Sequence, residues 1–142
     1  MKPKNITVHC SATPPSMPNI GVIAIRKMHT DKGWSDIGYH WVIKRDGTIQ
    51  PARPMTRSGA GVKGHNKDNI HICLVGGVDD NNKPENNYTE HQFSSLRYLI
   101  SDLSSTFGVK QENIKGHRDY PNVAKACPCF DVQEKLAEWA GD

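Results

Sequence analysis

A chain of 142 residues with a net charge of +3 is long enough to bury its own core, and its scattered Lys and Arg form no basic stripe of the kind that tracks nucleic-acid phosphates. With 36% hydrophobic and 23% charged residues and no low-complexity tract, the composition excludes a disordered or fibrous protein, and no apolar run approaches the roughly 18 residues that span a bilayer. The expectation is one domain over residues 1–142, made in the cytoplasm because "MKPKNITVHC" lacks a secretory apolar region, monomeric, and with its four cysteines reduced.

"NITVHC" (5–10) reads as a strand with Ile6, Val8 and Cys10 on one side and Thr7, His9 and Ser11 on the other. The proline-rich "SATPPSMPN" is a loop, after which Val22, Ile25, Met28 and His29 recur at helical spacing until Gly33. "GYHWVIKRDGTIQP" alternates through Tyr39, Trp41 and Ile43, turns at Asp46-Gly47 and resumes at Thr48 and Ile49, which predicts a hairpin. Residues 51–69 have no period and form a long loop, and such loops are often functional. "IHICLVGG" is a buried strand. Thr89 and Gln92 form a capping box for a helix to Phe107, with Phe93, Leu96, Leu99, Ile100 and Leu103 as its apolar stripe. "NIKGHRD" is a short strand ending at His117, and "FDVQEKLAEWA" a last helix with Asp131 as N-cap and Glu134 as its box partner. Interleaved strands and helices predict an α/β or α+β fold, a sheet flanked by helices.

Seven histidines and four cysteines offer many zinc ligands. His9 and His117 sit at strand ends and Cys127 on the loop after the second, and strand ends gather at one edge of a sheet, where sites form. Spacing alone does not bring His9 and His117 together, and taken singly each histidine is more often a surface or core residue. "HIC" offers a rival pair, His71 and Cys73, on one face of a strand, although Cys73 in so apolar a run reads as a buried filler, as does Cys10. Cys127 with His117 is also conceivable as a thiol nucleophile and base, but "CPC" supplies no helix N-terminus to activate the sulfur. Lys125 by itself is a surface charge; two residues from a metal thiolate it would face the oxyanion formed as water adds to an amide. Tyr39 is by default a packing aromatic.

Five stretches carry a resemblance: "VHCSAT" (8–13), "GWSDIGYHWVIKRDGTI" (33–49), "KGHNKDNI" leading to "CLVGG" (63–77), "GHRD" (116–119) and "KACPCFD" (125–131). In this order they resemble the zinc-dependent N-acetylmuramoyl-L-alanine amidases of the type 2 family, and among these the small amidase endolysins of T-odd coliphages. The resemblance implies one Zn2+ per chain on His9, His117 and Cys127, catalytic roles for Tyr39 and Lys125, and a mixed central sheet with the zinc cleft on one side. It implies hydrolysis of the bond between the lactyl group of N-acetylmuramic acid and L-alanine in bacterial peptidoglycan, with no nucleic-acid partner and no membrane insertion. Arg53 and His65, on or beside the long loop, are candidate contacts to glycan or peptide. Alternative readings are a non-catalytic peptidoglycan-binding module of the same fold and a polymerase-binding regulator, the latter disfavoured by a short N-terminal extension. Three positions depart from the family pattern. A histidine is frequent where this chain has Gly61, a glycine where it has His71, and a glycine or serine where it has Cys129; the segment between His117 and Cys127 is also slightly long.

Overall fold

The computed structural model describes residues 1–141. Five strands, β1 (Asn5–Cys10), β2 (Trp41–Ile43), β3 (Ile49–Pro51), β4 (Asn69–Leu74) and β5 (Ile114–Gly116), form one mixed sheet in the order β3-β2-β4-β1-β5. Among the pairings of this sheet in the described residues, β2 with β3 is antiparallel, and β2 with β4, β4 with β1, and β1 with β5 run parallel. Central parallel strands are covered on both faces, which is why β4 is buried along its whole length and β1 from Ile6 onward.

Helix α2 (Glu90–Phe107) and helix α3 (Val132–Ala140) cover one face, where Leu96, Leu99, Ile100, Leu103 and Val132 pack on Ile6, Val8, Ile70, Ile72 and Leu74. Helix α1 (Val22–Asp31) covers the other, where Val22 and Ile25 meet Val42, Cys73 and Val75. The predicted capping box of α2 is present in full, and Gly108 at φ 70° closes the helix in the left-handed conformation that glycine adopts without strain. In α3, Asp131 accepts from the Glu134 backbone N–H, but among the described residues the return bond of the expected box is not made. Helix α1 has no side-chain cap of its own; Gln50 Oε1 on β3 accepts from the Val22 N–H at 2.9 Å instead.

Two further expectations change. The strand expected to end at His117 stops at Gly116, and His117–Asp119 form a single 3-10 turn in which Asp119 Oδ2 accepts from the Gly116 N–H. Tyr39 does not continue the alternation of Trp41 and Ile43. It precedes β2 and packs with Val42 on the α1 face, because the Gly38 N–H donates to His29 Nδ1 at 2.9 Å and turns the chain toward α1. No helix is long and apolar enough to cross a membrane among the described residues.

Candidate active site

Parallel pairing does what sequence spacing could not. Val8 on β1 stands opposite Gly116 on β5, so the next residue of each chain segment, His9 and His117, emerges at the same end of two neighbouring strands. Their ring centroids lie 4.8 Å apart. The loop after β5 then returns Cys127 to the end of β1, where the Cys10 N–H donates to Cys127 Sγ at 3.0 Å. One donor atom each from His9, His117 and Cys127 falls within 4.8 Å of the others, close enough to share a metal ion.

The loop is tethered at its root. Thr7 Oγ1 donates to Asn69 Oδ1 (2.9 Å) and receives from the Tyr120 hydroxyl (2.6 Å), while Asn69 Nδ2 donates to the same tyrosine oxygen at 3.0 Å. This closed, buried triangle fixes Tyr120, from which residues 121–126 run along the site. Further on, the Arg118 N–H donates to the Cys127 carbonyl at 2.8 Å. The Cys129 thiol turns away from the cluster and donates to the Gly77 carbonyl at 3.2 Å, and Cys129 sits at φ 72°. A left-handed φ there accounts for the glycine usual at this position in the family pattern.

Burial governs the electrostatics. His9, almost wholly buried, is held far below the usual imidazole range by desolvation, then by His71 and His117, so it stands neutral with a lone pair to offer. His117 is lowered by burial and by the Lys125 ammonium. The hydrogen bond shared with Cys10, together with burial, pushes the Cys127 thiol up, so a cation in the pocket is what would make it a thiolate. Two neutral imidazoles and one sulfur, mutually close and already desolvated, are a donor set that fits a borderline-soft metal ion.

Around the cluster the predicted residues divide. Tyr39 lays its ring 4.9 Å from that of His9 and 5.2 Å from that of His29, and burial raises its phenol well above the ordinary value. Lys125, exposed, lines a groove of about 770 Å³ together with His117, Trp34, Gly61, Lys63 and His65. His65 thus reaches the groove, its ring tilted at 51° against that of Tyr120 with centroids 5.1 Å apart. Arg53 does not: it is buried, and its guanidinium donates to the Ile37 carbonyl (2.8 Å) and the Ser58 carbonyl (2.6 Å). It braces the long loop from beneath, because a buried guanidinium needs acceptors and the loop backbone supplies them.

His71, which the sequence offered with Cys73 as a rival ligand pair, stands instead beside His9, a contact the sequence did not foretell. It is completely buried on β4, and its Nδ1 lies 2.8 Å from His9 Nε2. Its only signal in the sequence was the "HIC" register on the face shared with His9, together with "SGAG" at 58–61. A Cβ on Gly59 would lie 2.5 Å from His71 Cδ2, and one on Gly61 would lie 2.4 Å from His71 Nδ1. The loop crosses the imidazole so closely that only glycine fits at both positions.

A three-donor cluster that could hold a metal ion, at the carboxyl ends of parallel strands and beside a groove, fits a hydrolytic enzyme of mixed α/β architecture. Comparison narrows the class: a family model described as N-acetylmuramoyl-L-alanine amidase (Amidase_2) matches residues 1–130, and the chain belongs to that family. It is 44% identical over 128 residues to the endolysin of Enterobacteria phage T3, covering 90% of this chain and 82% of the relative, and 44% identical over 128 residues to the endolysin of Escherichia phage T7, with the same coverage. Among solved structures, the N-acetylmuramoyl-L-alanine amidase LysC from Clostridium intestinale URNW superposes with a TM-score of 0.81 at 28% identity, over 98% of this chain and 86% of that one. Bumblebee PGRP-SA shares the fold, with a TM-score of 0.76 at 23% identity over 98% of this chain and 83% of its own.

Proposed function

We propose that this amidase cuts the bond between the lactyl group of N-acetylmuramic acid and L-alanine in peptidoglycan, as a phage-type endolysin that reaches the wall after release from the cytoplasm. In this reading one Zn2+ is held by His9, His117 and Cys127, and Tyr39 and Lys125 are catalytic. The observation that carries it is the convergence of the three donors within 4.8 Å beside a groove that Lys125 lines.

Zinc bound there supplies Lewis acidity and makes water nucleophilic at neutral pH. The chain's own residues do the rest. The Cys10 N–H, donating to Cys127 Sγ, fixes the sulfur and offsets its negative charge as a thiolate. Lys125 extends its ammonium over the groove to stabilise the oxyanion that develops on the lactyl carbonyl. The Tyr39 hydroxyl has no hydrogen bond to the described residues, and its ring is pinned between His9 and His29. It is therefore available to orient the attacking water or the carbonyl. In this reading the groove of about 770 Å³ beside the cluster seats the substrate, with His65 at its wall.

Mass spectrometry of peptidoglycan digested by the purified protein tests the reading. Release of stem peptides with a free L-alanine amine, abolished by a chelator, is the expected result; cleavage of any other bond, or activity indifferent to chelation, refutes it.

A further inference from the structure

His71 has no part in the chemistry above, yet the fold is built around its side chain. The ring stacks on His40 with centroids 5.8 Å apart and an interplanar angle of 6°. His40 is itself locked: its Nδ1 accepts from the His71 backbone N–H (3.0 Å), which leaves its Nε2–H to donate to the Arg57 carbonyl (2.9 Å). On the other side the glycines at 59 and 61 bring the loop backbone down onto the ring, and Asn66 Oδ1 holds that loop by accepting from the Gly61 and Val62 N–H groups, both at 2.9 Å. Neither glycine has a positive φ, so close approach and not backbone conformation excludes a side chain: the His71 imidazole at both positions, and at Gly59 the Gly38 carbonyl as well, 2.7 Å from a Cβ there.

What this clamped ring touches is His9. His71 does not join the donor cluster, which among the described residues consists of His9, His117 and Cys127, so it is not a fourth ligand there. A neutral imidazole has one lone-pair nitrogen and one N–H. With His9 Nε2 engaged by His71 Nδ1 at 2.8 Å, the nitrogen of His9 left for a metal is Nδ1. That state requires His9 Nε2–H to donate and His71 Nδ1 to accept, which puts the proton of His71 on its buried Nε2, an atom without a hydrogen-bond partner among the described residues. A ligating histidine usually gives its second N–H to a carboxylate, a carbonyl or water, and losing that acceptor typically costs about 10- to 100-fold in metal affinity.

Resting on the metal site proposed above, we infer that His71 is a positioning residue: a buried imidazole that fixes the tautomer and ring orientation of His9 so that Nδ1 is presented to zinc. The test is zinc affinity, by competition with a chromophoric chelator, for the wild type, His71→Leu and His71→Asn, alongside the melting temperature of each metal-free protein. His71→Leu keeps the bulk and loses the acceptor, and should bind zinc about 10- to 100-fold more weakly. His71→Asn places Oδ1 where Nδ1 was and should bind as the wild type does. Wild-type affinity in His71→Leu, or equal weakening in both variants, overturns the inference. Long-range 15N–1H spectra of the zinc-loaded wild type give an answer independent of how the variants fold: His9 protonated at Nε2 and metal-bound at Nδ1 is expected, and the reverse assignment overturns it. A wild-type protein that binds no zinc would overturn the metal-site reading itself, whereas tight zinc binding with indifferent variants removes only the role of His71.

Discussion

Replacing Lys125 by alanine separates the chemistry of the site from its metal. The side chain is exposed on the groove wall and has no hydrogen bond to the described residues, so its loss should move stability by no more than about 0.5 kcal/mol, the usual range for such positions. Its charge lowers the proton affinity of His9 and His117, so the same field opposes a metal cation, and its removal should leave zinc affinity unchanged or slightly higher. The rate is another matter. One donor aimed at a developing oxyanion is worth about 100- to 1,000-fold in kcat, or about 2.7–4 kcal/mol, and Lys125 is the one cationic side chain of the groove set beside His117 in this proposal. The assay pairs zinc content by atomic absorption with turnover of a muramyl-peptide fragment followed by chromatography. Full zinc with a kcat down by two to three orders of magnitude is the expected outcome. Wild-type kcat refutes the oxyanion assignment, and so does an activity loss that merely tracks zinc loss. Lys125→Arg, which keeps the charge and changes the reach, should fall between.

The two cysteines of "CPC" should behave oppositely: Cys127→Ala loses zinc and activity together, while Cys129→Ser keeps both, since its sulfur faces the Gly77 carbonyl; zinc loss in the serine variant would mean the other sulfur is the ligand. Gln92→Leu should cost about 3 kcal/mol or more in urea unfolding, because the fully buried amide donates to the carbonyls of Ile43 (3.2 Å) and Val75 (2.9 Å) and accepts from the Thr89 N–H, and each stranded group carries a penalty of about 1–3 kcal/mol. A loss under about 1 kcal/mol would show that water or relaxation replaces those bonds. Acid should destabilise the metal-free protein well above the carboxylate range. Burial lowers His29 to about 4 and His71 to about 3, whereas both titrate near 6.5 in the unfolded chain. The unfolded state therefore takes up protons first, the stability contributed by these neutral histidines is complete above about pH 6.5, and it drains away as the pH falls toward 4 and below. An unfolding midpoint that is flat from pH 7 to 4 would contradict this.

Much of the fold was legible because the relevant signals are local. The Thr89 and Gln92 box, the Leu96 to Leu103 stripe and the Asp46-Gly47 turn each occupy a few consecutive residues, and each appears where those residues predict it. The parallel pairings were not legible. They join segments far apart in the chain, and nothing in "TVHC" specifies "IKGH" as its neighbour, so the meeting of His9 and His117 came from family resemblance before the sheet supplied its cause. Arg53 was misplaced for a related reason: a basic residue beside a loop reads as a ligand contact, and only the carbonyls of Ile37 and Ser58 reveal that it is a brace.

The departures at Gly61 and His71 looked like two separate losses in the sequence, a histidine gone from the loop and a glycine gone from the strand. In the folded chain they are one exchange. A Cβ at position 61 would fall 2.4 Å from His71 Nδ1 and 2.8 Å from His9 Nε2, so side chains at 61 and 71 compete for a single volume beside His9, and only one of the two positions can fill it. An imidazole entering from the strand must be straddled by a loop without side chains, as it is here by Gly59 and Gly61. One entering from the loop needs a bare strand beneath it. The space beside His9 is filled in this chain from β4, and a histidine that reads as a buried oddity there is a reason that "SGAG" ends in a glycine.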